Sequence, residues 1–401
     1  MTLRSINEGP DAFIKRSNGR PKNASASLPR VVCSVNARAL KKNYEIIREL
    51  VPELSILPMV KANAYGHGAV WASRELMHLP KLYGLGVATL EEGIEIRRAL
   101  GGAGRKARIF IFSGTSPWTD EKGELCELHA LTPIIASDRC WHSFLKGKWH
   151  ERVPFELKFN TGMNRLGMTP SLVSSVVKSL KNKPGAENLT GVLSHLAMGE
   201  NPQAQVTRNQ IEQFQWIRNQ VHSSFPSVLF HLGNSASIWN NKYFKLDQMT
   251  DVVRPGISLY GTPPWADASI RDLEAVMTLQ AQVVEVRRLK VGERIGYGGT
   301  YVVRDEPIHA AILSAGYADG IKRALSNQGH AWVNGRAERF LGVVSMDLSA
   351  VSCDPKTKVG DWVEILGPHV DIWAQAKAAN TIPYELFTSV SSRVSRNLEG
   401  G

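Results

Sequence analysis

Cysteine is scarce in this chain: four residues in 401, at positions 33, 126, 140 and 353, with no C-x-x-C pair among them. That spacing argues against a disulfide framework and against a thiolate metal site, and reduced thiols in a cytosolic protein are the expectation. Long apolar runs are absent too. None approaches the ~18 residues of a membrane-spanning helix, so no membrane association is expected. The first 30 residues lack the apolar core of a secretory leader, because Glu8, Asp11, Lys15, Arg16, Arg20 and Lys22 interrupt them. A cytoplasmic location is expected on that ground. Basic blocks interleaved with aromatics are missing, as are zinc-finger and RNP patterns. Nucleic-acid binding is therefore not expected, despite a net charge of +11.

What remains is ordinary globular composition, 43% hydrophobic and 21% charged, in a length suited to two domains of ~100–200 residues. The basic surplus is uneven. Residues 1–30 carry six Lys/Arg against two Asp/Glu, and residues 263–401 carry fifteen against sixteen. The surplus thus belongs to the tail and the central segment. Residues 1–27, rich in Ser, Asn, Gly and Pro without a helix or strand period, read as a flexible extension.

Between 55 and 262, short apolar runs recur eight times, at 55–60, 82–88, 108–112, 131–136, 153–159, 189–194, 228–231 and 250–254. Amphipathic stretches such as Leu90–Leu100 and Gln205–His222 lie between them. Eight strands alternating with helices predict a (β/α)8 TIM-type barrel, a fold of ~250 residues. A doubly wound open sheet shares this local grammar, and periodicity does not separate the two. The pattern changes at Gly261-Thr262-Pro263-Pro264. Beyond it, strand-like runs at 275–288, 297–303, 309–313, 331–333, 340–344 and 362–366 are divided by turn signals such as Asn334-Gly335. The predicted layout is an α/β barrel domain over 28–262 and a mainly β C-terminal domain over 263–401.

In a parallel barrel, ligands bind at the carboxyl ends of the strands. Polar residues close several of these runs: Lys61, Lys158 with Arg165, His195, Asn234 with Ser235, and Arg254. Each has a plain structural explanation by itself, as a solvated lysine, a core histidine, a helix N-cap or an ion-pair partner. Their accumulation at five strand ends points to a site. Lys61 follows Met59-Val60 and precedes a glycine-punctuated turn, where desolvation would favour its neutral amine and Schiff-base chemistry. Gly256 and Ile257 N–H groups and the Ser235 hydroxyl suit an anion cradle, fit for the phosphate of a cofactor whose aldehyde joins Lys61.

The string Val60-Lys61-Ala62-Asn63-Ala64-Tyr65-Gly66-His67-Gly68 is followed in order by six others. They are Thr161-Gly162-Met163-Asn164-Arg165-Leu166-Gly167, His231-Leu232-Gly233-Asn234-Ser235, Arg254-Pro255-Gly256-Ile257, Gly296-Tyr297-Gly298, Gly316-Tyr317-Ala318-Asp319-Gly320 and Ser345-Met346-Asp347. Over nearly all of residues 30–396 the chain resembles the alanine racemases, pyridoxal 5'-phosphate (PLP) enzymes built from a barrel and a β domain.

The resemblance implies that Lys61 holds PLP and shares acid/base work with Tyr297, which comes from the β domain of the second subunit of a homodimer. It implies Tyr65, Ser235, Gly256 and Ile257 as phosphate-binding positions, His195 and Asn234 near the cofactor ring, and Arg254 as partner of the pyridine nitrogen. Arg165 would contact the cofactor's phenolic oxygen and orient the substrate carboxylate. Met346 would bind substrate through its backbone, and Tyr317 would narrow the channel. Lys158 matches a lysine that some members carry carbamylated, bracing the arginine. The implied reaction interconverts L- and D-alanine, supplying D-alanine for peptidoglycan.

Three departures stand out. Asn160 replaces a frequent Asp, Met198-Gly199-Glu200 replaces an alanine- and aspartate-containing stretch, and Ser392 is taken to replace a tyrosine that reaches the phosphate. A broad-specificity racemase is a rival reading, although those are typically exported. A PLP-dependent decarboxylase of basic amino acids is another, but Cys353 lies in no glycine-rich motif of the expected kind. A PLP-carrier protein would lack the β domain.

Overall fold

The computed structural model describes residues 29–266, 268 and 272–400; the extension expected over 1–27 lies outside the described residues. The first strand, β1 (Val31–Asn36), is followed by eight that coincide with the expected runs. These are β2 (Ser55–Ile56), β3 (Leu85–Val87), β4 (Ile109–Ile111), β5 (Thr132–Ile135), β6 (Phe155–Lys158), β7 (Leu189–Leu193), β8 (Leu229–Asn234) and β9 (Val252–Arg254). They run parallel in the order β2-β9-β8-β7-β6-β5-β4-β3. Backbone bonds then join the two ends of that order: Tyr83 N–H donates to Ile56 O and Val60 N–H to Gly86 O, both at 2.8 Å. An open doubly wound sheet would leave both edges free, so this closure decides for the barrel. Strands β3 to β6 are buried at every position, as expected where side chains fill the interior and helices cover the outside.

Local signals start the outer helices. The Thr89 hydroxyl accepts from Glu92 N–H at the head of Leu90–Leu100, in a capping box. Thr119 and Ser137 cap Asp120–Leu128 and Asp138–Lys146 in the same way.

The second sheet is antiparallel apart from one pair. It is built on the long β10 (Met277–Leu289), with the small hairpin of β11 (Arg294–Ile295) and β12 (Tyr301–Val302) set beside it. The later strands are β13 (Ile308–Leu313), β14 (His330–Val333), β15 (Arg336–Arg339), β16 (Ser349–Cys353), β17 (Trp362–Leu366) and β18 (Arg396–Glu399). Strand β1 belongs to this sheet, antiparallel to β10 and parallel to β18, although it falls in the segment expected as barrel. Its side chains alternate buried and half-buried, which suits a sheet with one covered face and not a barrel strand buried on both.

Two other expectations for this region change. The run at 297–303 is broken by a turn, Tyr297–Gly299, because Gly296, Gly298 and Gly299 take φ of 75°, 68° and 53°. The run at 340–344 forms no strand beyond a single bridge from Phe340 to Val351. Helices Ile372–Ala378 and Pro383–Thr388 complete the domain, the first capped by Asp371 and the second opened by proline. The second helix reaches the barrel mouth. A Cβ on Gly66 would lie 2.2 Å from Phe387 O, and Arg396 Nε donates to Gly66 O at 3.1 Å.

Candidate active site

Lys61 opens a turn of unusual hand. Ala62, Asn63, Ala64 and Tyr65 have φ of 51°, 52°, 53° and 54°. For residues other than glycine this left-handed conformation costs about 1–2 kcal/mol each, and it persists where surroundings over-determine it, as functional sites often do. Here the surroundings are dense. Ala64 N–H donates to Val60 O at 2.8 Å, Gly68 N–H to Asn63 O at 2.8 Å, and Ala69 N–H to Asn63 Oδ1 at 2.7 Å. Ala62 N–H donates outward, to Glu92 Oε1 at 2.6 Å. Beneath the turn, the Tyr260 ring lies 5.0 Å from that of Tyr65 and stacks at 4.5 Å on His67.

The turn borders a cavity of about 540 Å³ at the carboxyl ends of the barrel strands. Lys61, Tyr65, Lys158, Arg165 and His195 line it, and so do Asn234, Ser235, Arg254, Gly256 and Ile257. The remaining expected residues lie elsewhere in the chain. Tyr297, Tyr317 and Met346 sit on the β domain and are 73%, 43% and 53% exposed. Tyr297 borders a separate apolar hollow with Leu341, Val343 and Leu348.

Cations dominate the cavity. Burial, reinforced by the Arg165 guanidinium, lowers the Lys61 pKa, with Glu92 opposing. Burial pushes Lys158 down to about 8, helped by Arg254, Arg165 and Lys61. Burial and then Arg254 hold His195 well below the usual imidazole range, so its ring is neutral. Arg254 is buried and, for that reason, lowered to about 10, with Glu156 opposing. Its Nη2 donates to Ser194 O at 2.6 Å, while Nη1 has no partner among the described residues. Deeper in the barrel, Glu156 accepts from Tyr83 Oη at 3.0 Å and lies 3.4 Å from His231 Nε2. Burial pushes its carboxyl up to about 8.

Other residues shape the walls. The Ser235 hydroxyl accepts from Gly256 N–H at 2.9 Å. A Cβ on Gly256 would stand 2.3 Å from Tyr65 Oη, so a side chain there would fill the cradle. The Asn234 side chain is occupied as a helix cap, accepting from Ser237 N–H at 3.1 Å. Asn160 folds the loop bearing Arg165, its Oδ1 accepting from Asn164 N–H at 2.9 Å, a task an aspartate would perform equally. Glu200 lies at the exposed rim.

One expectation is corrected. Ser392 is exposed and lines no part of the cavity, whereas Tyr384 does, with its ring 5.8 Å from that of Tyr65. Burial pushes its phenol up to about 12. Tyr384 comes from a late helix, so a search of strand ends missed it; the proline-opened turn at 383–388 was the available signal.

These residues fit a PLP-type ligand. A buried guanidinium nitrogen without an acceptor costs more than the ~1–3 kcal/mol of a neutral group, and a pyridine nitrogen offers a lone pair. Clustered cations call for a phosphate and a carboxylate, and the Tyr65 hydroxyl, admitted against Gly256 because no Cβ stands there, offers a donor for the former.

Known proteins agree with this geometry. The model of the alanine racemase N-terminal domain matches residues 35–264, and that of the C-terminal domain matches 276–398. The alanine racemase of Nitrosococcus oceani is 33% identical over 375 residues, covering 91% of this chain and 98% of that protein. The crystal structure of biosynthetic alanine racemase from Pseudomonas aeruginosa superimposes with a TM-score of 0.82 at 31% identity, covering 93% of this chain and 100% of that one. An alanine racemase from Bartonella henselae, solved with covalently bound pyridoxal phosphate, gives 0.78 at 29% identity, covering 92% and 100%.

Proposed function

The chain belongs to the alanine racemase family, enzymes that interconvert L- and D-alanine, and from that premise we propose a two-base reaction on PLP held by Lys61, with Tyr297 of a second copy as the other base. The observation that carries it is the cationic cavity at the strand ends, centred on a desolvated lysine. The match over both domains removes the decarboxylase and carrier readings.

When bound, the cofactor supplies an electron sink for the negative charge left at the substrate Cα. The residues do the rest. The Lys61 amine, poised toward its neutral form, takes or returns a proton on one face of Cα, and the Tyr297 hydroxyl serves the opposite face. Arg165 orients the substrate carboxylate, and the Met346 backbone and Tyr317 ring close the entry from the partner side. Ser235, Tyr65 and the Ile257 amide would hold the phosphate, with the Gly256 amide orienting the Ser235 hydroxyl toward it, and Tyr384 adds a hydroxyl on the wall they share. Asn234 keeps the Ser235 helix end in place, and His195, neutral beside Arg254, packs near the ring. Lys158, with an amine part-neutral near pH 8, is suited to capture CO₂. The resulting carbamate would offset the cations and brace Arg165. A cytoplasmic homodimer supplying D-alanine to peptidoglycan completes the proposal. Exposure of Tyr297 away from its own chain's cavity supports the shared site.

The test is direct. Purified protein with PLP is expected to show the visible band of lysine-bound cofactor and to yield D-alanine from L-alanine, read with D-amino acid oxidase. Equal turnover of lysine or arginine would indicate broad specificity. No D-alanine from a protein that carries the band would sink the reading.

A further inference from the structure

The Ala62 amide is the first N–H beyond Lys61, and it is bonded outside the turn. It donates to Glu92 Oε1 at 2.6 Å, while Glu92 Oε2 accepts from Ala88 N–H at 2.7 Å and Thr89 N–H at 3.3 Å. A capping-box glutamate ordinarily closes only on its own N-cap. Glu92 does so with one oxygen and joins the lysine turn to the segment after β3 with the other. Charge makes the contact more consequential. Lys61 faces Arg165 and Lys158 from the β6 side, His195 from the end of β7 and Arg254 from the end of β9, with the phenols of Tyr65 and Tyr384 on the same wall. Glu92 opposes the cations from the helix side, and Glu200 stands at the rim.

We propose that Glu92 is a positioning residue for Lys61: its carboxylate latches the left-handed turn to the segment after β3 and keeps a negative charge beside the amine. The inference rests on reading Lys61 as the cofactor lysine. Loss of that charge leaves Arg165 and burial unopposed, so a larger fraction of the amine is neutral at a given pH. Loss of the latch frees the turn, so the neutral amine is less well placed.

The full-length apoprotein tests this, with PLP as the probe and growth of the visible band as the readout. In Glu92→Gln the pH midpoint of the capture rate is expected to fall by about half a unit or more, and the plateau rate at high pH to fall several-fold. Thr89→Ala removes the helix cap without touching Ala62, and is expected to lower thermal stability while leaving midpoint and plateau in place. An unchanged midpoint in Glu92→Gln, or an equal shift in Thr89→Ala, overturns the proposal.

A second measurement needs no substitution. In apoprotein labelled with ¹⁵N-alanine, the Ala62 amide is expected to exchange with solvent deuterium several-fold more slowly than an open-chain amide, because Glu92 Oε1 holds its proton. An Ala62 amide that exchanges as an open-chain amide overturns the latch whether or not the variants fold. If Ala62 is protected but unsubstituted apoprotein captures no PLP, the cofactor reading fails and the latch stands.

Discussion

At Arg254 the choice of one residue type controls where charge can go. The guanidinium is buried, held by Ser194 O and flanked by a neutral His195, with Nη1 left over for a ligand. It is lowered only to about 10 and so remains protonated near neutrality. An arginine can donate but not accept. In the proposed site, a cofactor ring nitrogen held by Arg254 would keep its lone pair for that bond and stay unprotonated, which would limit how far negative charge spreads from Cα. Restraint of that kind should suppress transamination. Arg254→Glu is expected to raise the ratio of transamination to racemisation while lowering racemisation at least tenfold. Product analysis of pyruvate against D-alanine measures both, and an unchanged ratio contradicts the account.

The elements carry a pH dependence of their own. The lysine turn rests on His67, whose Nδ1 bonds Ala64 O and Tyr65 O at 3.0 and 2.9 Å. Both partners are carbonyls, so Nδ1 carries the proton and Nε2, fully buried, has no partner among the described residues. Burial holds this histidine down at about 4. The unfolded chain takes up the proton near pH 6.5 and the folded one only near 4. Stability is therefore complete above 6.5 and lost as pH falls through that window. The loss from pH 7 to pH 5 is roughly 2 kcal/mol from this one group, and His195 and the buried His231 add to it with the same sign. Urea unfolding at the two pH values measures it, and equal midpoints would refute it.

The same elements mark what the sequence makes legible. Barrel strands such as β3 and β4 read clearly because burial on both faces favours apolar runs, and Lys158 at the end of β6 then locates the mouth. Strand β1 read less well, since its pairing is set by a segment some 240 residues later. Tyr384 and Glu92 were hidden for a related reason: a helix residue reaches the cavity wall, or the turn that carries Lys61, only through tertiary placement, and no local period announces it.

For the molecule as a whole, the issue is how residues outside the cavity could serve it. The loops bearing Tyr317 and Met346 are exposed yet firmly held. Asp319, nearly inaccessible, accepts from Arg393 Nε at 2.8 Å and Arg30 Nη2 at 3.0 Å, and Arg393 also bonds Asp347 at 2.8 Å. Tyr317 N–H donates to Ser345 O and Ala318 N–H to Met346 O, both at 3.0 Å. With Tyr297 and Leu348 also exposed beside an apolar hollow, the β domain carries the pre-formed surface that the proposed shared site would use. A two-fold partner is self-complementary, so each chain would give this surface to the other's cavity. The consequence is arithmetic. Lys61→Ala and Tyr297→Phe homodimers each lack one base in both sites. After dissociation and mixing, half of the dimers are hybrid, and each hybrid holds one intact site and one doubly substituted site. Activity is expected to return to about one quarter of the unsubstituted value for a two-fold dimer. If the mixture never exceeds the average of its two parents, although exchange is verified by mass, Lys61 and Tyr297 do not act across an interface.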